Sequence, residues 1–171
     1  MLIFNPRGMT SNNVGKGIAE FVGTFFLTLT IFIAAVNGIA GVFAPIAIGL
    51  TLMVMIYALG HVSGAHFNPA VSIGLFLKGD CSQDELPTYL GAQILAGVLA
   101  FFVGSELVLN GADAAEITAA TFDSTIAVLS AEALWTFALM FVIINVATEQ
   151  AGNQFYGAAI GLTVMAGAFT V

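Results

Sequence analysis

A largely apolar segment of ten residues, too short to cross a membrane and set among stretches long enough to do so, constrains this chain more than any other feature. Stretches at 17–39, 42–59, 86–109 and 126–148 stay apolar over roughly the 20 residues that a helix needs to traverse the hydrocarbon core. A fifth begins near Phe155 and is still apolar at Val171. Between the second and third lies the segment 61–79, whose apolar part is residues 68–77. As a helix that part would measure about 15 Å, half the hydrocarbon thickness. It is read as re-entrant, entering and returning on the same side. Non-helical backbone persists at that depth only where protein or a water-filled cavity satisfies its polar groups, so the segment predicts a cavity.

Composition agrees. Hydrophobic residues make up 59% and charged residues 8%, against roughly 25% charged in a soluble domain. The expected fold is therefore an all-α membrane protein embedded in a lipid bilayer. The net charge of −7 reflects scarce bases (Arg7, Lys16, Lys78), which leave no basic patch for nucleic acid. Cys81, the single cysteine, excludes an internal disulfide framework. The apolar run after residue 16 is too long for a cleaved signal core, so it reads as a retained helix. Placing the N-terminus in the cytoplasm of a cell membrane puts all three bases inside. The loop holding Asp113, Glu116 and Asp123 then lies outside. His61 and His66 stand without a nearby carboxylate or second thiol and make a poor metal site. No nucleophile–base pair, phosphate loop or cofactor motif is present, so the chain does not read as an enzyme.

The chain also repeats itself. At an offset of 112 residues Ala19-Glu20 matches Ala131-Glu132, Thr24-Phe25 matches Thr136-Phe137, and Ala47-Ile48-Gly49-Leu50-Thr51 matches Ala159-Ile160-Gly161-Leu162-Thr163. Each repeat would hold three spans, and an odd number inverts the second copy in the membrane. The expected organisation is a cytoplasmic segment 1–16, a first repeat 17–109 containing the re-entrant loop 61–79, an external loop 110–125, and a partial second repeat 126–171. The offset places a partner for Asn68 near position 180, beyond Val171. The second half-helix and a sixth span are accordingly expected to be missing by truncation, leaving five spans and one half-helix.

The chemistry concentrates at Asn68-Pro69-Ala70. Asparagine is a favoured N-cap and proline suits the first helical position. Asn68 is expected to cap through its side-chain oxygen, accepting from the Val71 N–H and leaving two amide donors for the cavity. The helix N-terminus adds a partial positive charge of about half an electron, which disfavours cations and protons. Gly60, Gly64 and Gly74 would permit close turns or contacts, and Gly157 with Gly161 a close helix crossing.

Ser63-Gly64-Ala65-His66-Phe67-Asn68-Pro69-Ala70-Val71, following Gly60-His61, resembles the first signature loop of the aquaporin (major intrinsic protein) family. The resemblance runs from about residue 17 to 171. It implies a passive channel for water or small uncharged solutes, passing in single file by the Asn-Pro-Ala half-helix. The alternative is a non-conducting fragment of such a channel. It implies homotetramers with one pore per subunit if the protein is complete. Two of the four positions of the family's narrowest constriction fall at Ile48 and Ala168. Strict water channels usually carry an aromatic and a histidine there, so a wider, less polar opening is implied. Glu20 and Glu132 lie inside spans at a cost of about 2.5–3.5 kcal/mol each. By resemblance they hold the re-entrant loops in shape. His61 packs and supports the loop, and His66 lines the cytoplasmic mouth.

Overall fold

The computed structural model describes residues 12–108, 124–150 and 152–170, except the side chains of Leu107 and Val108. Arg7, Asp113, Glu116 and Asp123 lie outside the described residues, as does most of the loop 110–125.

Helix α1 (Asn13–Ile31) begins where Asn12, in extended conformation, accepts a hydrogen bond from the Gly15 N–H at 2.8 Å. This satisfies one of the donors that every helix start leaves free. The helix continues through a wider π-wound turn, Phe32–Val36. Proline opens each of the next three helices within its first two residues, where its missing N–H costs no hydrogen bond. They are α2 (Ala44–Ser63), α3 (Pro69–Lys78) and α4 (Leu86–Phe102). A π-wound segment, Val103–Val108, extends α4. Ser82 and Glu85 form a reciprocal capping box before α4: the Glu85 N–H donates to Ser82 Oγ, and the Ser82 N–H donates to Glu85 Oε2. Helix α5 (Thr125–Ile143), capped by Ser124, also ends in a π turn, Ile144–Thr148. Helix α6 spans Tyr156–Thr170.

The internal repeat is visible in the backbone. Both ends of α1 and of its π turn recur in α5 and its π turn at an offset of 112 residues, and so does the start of α2 in α6. Four helical stretches among the described residues are long and apolar enough to cross a membrane: Asn13–Val36, Gly41–Ser63, Leu86–Glu106 and Thr125–Thr148. They coincide with the four sequence stretches to within a few residues. The fifth stretch appears as α6, 15 residues or about 22 Å long.

Helix α1 packs mainly on α4 and α2, and α2 mainly on α6. The α2–α6 crossing sits at equivalent glycines, Gly49 and Gly161, each facing the other's backbone. The expected close contact of Gly157 is also present, against the ring of Tyr57. Short α3 lies among them and contributes Val71 and Leu75 to a core with Leu52, Ile56, Phe67 and Ile160. One face of α3, carrying Val71, Ser72 and Leu75, is therefore buried against other parts of the protein, while Ile73 and Leu77 on it are exposed.

Candidate functional site

Gly64 ends α2 in the left-handed region at φ 88°, which glycine adopts without steric cost. The two non-glycine residues at positive φ among those described follow at once, Ala65 at 56° and Phe67 at 49°. Such conformations cost energy and persist only where surroundings impose them. Here the imposing group is Glu20, fully buried on α1. Its Oε1 accepts from Ser63 Oγ at 2.6 Å and from the His66 N–H at 2.9 Å. Its Oε2 accepts from the Phe67 N–H at 2.7 Å and from Gln93 Nε2 at 2.8 Å. Alternating backbone hands turn successive N–H groups toward one point, a concavity suited to an anion. Glu20 occupies it without a basic side chain among its hydrogen-bond donors. Phe67 then lays its ring against Gly23, one turn further along α1, where no side chain blocks it.

A second layer fixes His66. Its Nδ1 lies 3.0 Å from Ser72 Oγ on α3, and Ser72 in turn accepts from Gln93 Nε2 at 2.9 Å. Ser72 Oγ keeps a second acceptor lone pair, so the contact with Nδ1 runs in either direction according to the imidazole tautomer. Tyr89 closes the layer: its hydroxyl donates to the Ser63 carbonyl at 2.5 Å, and its ring meets the His66 ring edge to face.

Asn68 caps α3 as expected in kind, but its oxygen accepts from the Ala70 N–H at 2.8 Å, not from Val71. The extended backbone of Asn68 (φ −152°) brings its side chain to the second helical position instead of the third. The consequence for the amide is the same, since neither NH2 donor has a hydrogen-bond partner among the described residues. Both donors border an inner cavity of about 140 Å³ that is also lined by Ile48, Leu52 and Ile56 from the middle turns of α2. An outer cavity of about 210 Å³ is lined by Lys16, His61, Asp80, Cys81 and Glu85. His66, Gly64, Leu75, Ile143 and Ala147 belong to both walls.

The structure thus brings together Glu20, His66, Asn68 and Ile48. Pro69 and Ala70 form the exposed first turn of α3, and His61 is exposed near the end of α2. Ala168 and Glu132 are exposed on α6 and α5, and neither lines these two cavities. The sequence reading missed Gln93, Ser72 and Tyr89. Gln93 carried the available signal, an uncharged amide buried in the middle of an apolar span.

Charged groups tie the outer rim together. Lys16 pairs with Glu85, linking α1 to the start of α4. Burial opposes ionisation of Glu85, yet the Lys16 ammonium and the Ser82 donors hold its carboxyl below the usual range. Lys78 bridges Asp80 and Glu149, joining the end of α3 to the segment after α5. Burial, with Glu85 and Glu20 adding to it, pushes the Cys81 thiol up to about 11. Maleimide labelling of Cys81 at pH 7.5 in the folded protein is therefore expected to run ~100-fold slower than in the denatured chain. Comparable rates in the two states would contradict the buried placement.

The profile of the Major intrinsic protein family matches residues 8–171. The chain is 37% identical over 185 residues to aquaporin NIP1-1 of Arabidopsis thaliana, covering 95% of the chain and 62% of that protein. It is 40% identical over 157 residues to aquaporin NIP1-3 of Oryza sativa subsp. japonica, covering 88% and 54%. Among solved structures, the aquaglyceroporin from Plasmodium falciparum superposes with a TM-score of 0.79 at 26% identity, covering 93% of the chain and 73% of that structure. The chain spans just over half the length of the curated relatives it matches.

Proposed function

The chain belongs to the major intrinsic protein family, a family of channels and not of enzymes, and from that premise we propose that the complete protein is a passive channel for water or small uncharged solutes. The observation that carries the reading is the start of α3. Asn68 caps a helix too short to cross a bilayer, and its free amide donors border a cavity beside the middle turns of α2. Its counterpart would come from the second repeat. Permeants would pass Asn68 in single file, exchanging hydration for fixed donors, while the α3 N-terminus repels cations. Ile48 and Ala168 are the residues of this chain assigned to the constriction, with Pro69 and Ala70 shaping the first turn of α3. His66 would line the cytoplasmic side, and His61 would support the loop. Glu20 and Glu132 would play equivalent parts in the two repeats. The N-terminus is placed in the cytoplasm of a cell membrane, and assembly as a homotetramer is part of the proposal.

Osmotic swelling of vesicles carrying the complete gene product tests this reading. Asn68→Asp keeps a capping oxygen but replaces the two amide donors with a negative charge. It is expected to slow swelling at least about threefold, the loss attached to one or two hydrogen bonds. Equal rates for the two proteins would remove the role given to Asn68.

A second reading concerns the 171-residue chain alone, as a non-conducting portion of such a channel. One observation favours it. Only 6% of an 18-residue apolar stretch within Thr125–Thr148 is buried, against 33% of such a stretch within Asn13–Val36, its repeat equivalent. The wall that would close the pore beside α5 is thus not built from the described residues.

A further inference from the structure

We propose that Tyr156 sets solute selectivity on the cytoplasmic side, through a phenol hydroxyl that meets the permeant. This rests on the channel reading above. Of the residues lining the inner cavity, only His66, Asn68 and Tyr156 carry polar side chains; the rest of the wall is aliphatic, alanine or glycine. Asn68 offers its amide donors, and His66 already has Nδ1 engaged by Ser72. Tyr156 adds a group that can both give and accept a hydrogen bond.

Its position is built, not incidental. Tyr156 is the first residue of α6, and its ring packs edge to face on Tyr57 of α2, centroids 5.7 Å apart. Tyr57 pins the start of α6 from both sides. Its hydroxyl donates to the Gln154 carbonyl at 3.2 Å and accepts from the Ala158 N–H at 3.1 Å. Tyr57 also rests on Gly157, where an added Cβ would stand 2.9 Å from its ring. The Tyr156 ring therefore has little freedom to swing away. Its hydroxyl lies over Gly60 of α2, 3.0 Å from where a Cβ would be. Gly60 lines the outer cavity and Tyr156 the inner one, so the phenol stands where the two approach.

The Tyr57 hydroxyl is committed to backbone groups, whereas that of Tyr156 has no hydrogen-bond partner among the described residues. A committed hydroxyl serves the fold; an uncommitted one at a cavity wall is available to what passes. A solute with several hydroxyls or amides must shed more water than a water molecule does, and leans more on such a station. Its loss should therefore alter the ratio of solute to water permeation, not only the overall rate.

The experiment compares wild type and Tyr156→Phe of the complete gene product in vesicles, measuring water, glycerol and urea permeabilities. Because the hydroxyl holds no structural bond, Tyr156→Phe is expected to keep the wild-type fluorescence of Trp135 and the same melting temperature. Its glycerol-to-water and urea-to-water ratios are expected to fall about threefold or more. Tyr57→Phe serves as the contrast: it is expected to lower the melting temperature, since its bonds belong to the fold. Wild-type vesicles that conduct, with ratios unchanged in Tyr156→Phe, overturn the inference and leave the channel reading standing. Wild-type vesicles no more permeable than empty ones overturn both.

Discussion

Glu20→Ala is expected to unfold the loop between α2 and α3 and to lower stability by roughly 3 kcal/mol or more. The carboxylate accepts four hydrogen bonds, from Ser63 Oγ, the His66 and Phe67 N–H groups, and Gln93 Nε2. Each donor left buried and unpaired costs about 1–3 kcal/mol, partly recovered if water enters the space. The positive φ values of Ala65 and Phe67 add to the penalty, since the carboxylate binds the Phe67 N–H directly and the Ser63 hydroxyl that accepts from the Ala65 N–H. Glu20→Gln is the sharper comparison. It keeps the shape and one acceptor oxygen, but its NH2 must face donors, either the Phe67 N–H and Gln93 or the His66 N–H and Ser63. It is therefore expected to lose most of what alanine loses. Denaturant titration in detergent gives the energies, and amide exchange at His66 and Phe67 locates them. A Glu20→Gln protein with native stability and slow exchange at both amides would show that the loop is held by something else.

The second large effect is expected at the α2–α6 crossing. A Cβ at Gly161 would lie 2.6 Å from the Gly49 carbonyl oxygen and 2.7 Å from Met53 Cβ. At Gly49 it would lie 2.7 Å from the Gly161 carbonyl oxygen and 2.6 Å from Met165 Cβ. These neighbours are main chain or attached directly to it, so the clash can be relieved only by parting the helices. In a membrane, close approach at small residues is the chief source of helix association, because lipid solvates apolar side chains as well as a neighbouring helix does. Gly161→Ala and Gly49→Ala are each expected to cost about 1–3 kcal/mol. Leucine at either place should separate α6 from α2 altogether. Because both substitutions strain one contact, the double alanine variant is expected to cost little more than either single one. Additive losses, or single losses below about 0.5 kcal/mol, would place the crossing elsewhere.

Much of this was legible in the chain. Length and apolarity located the four long helices, since a bilayer leaves the backbone few alternatives. The offset of 112 residues pairs Gly49 with Gly161, the two glycines at which α2 and α6 meet. The short run after Asn68, with proline in first place, gave α3 and its cap to within one residue. The partner of that cap was not legible. Ala70 and Val71 differ as acceptors' targets only through the Asn68 backbone angle, which follows from the loop before it.

Local pattern, then, determined the elements: where helices begin, how long they run, and which short one cannot span. Tertiary structure alone decided what holds the loop. Glu20, Ser72, Tyr89 and Gln93 sit on three different helices, and no periodicity within any of them announces that they converge. The recess at Gly23 for Phe67, and the commitment of Tyr57 beside an uncommitted Tyr156, are likewise properties of packed neighbours. The physical reason is range. Backbone satisfaction in lipid acts over one helical turn and is written in consecutive residues. A buried polar network acts between segments up to 73 residues apart, and its partners are chosen only when the helices meet.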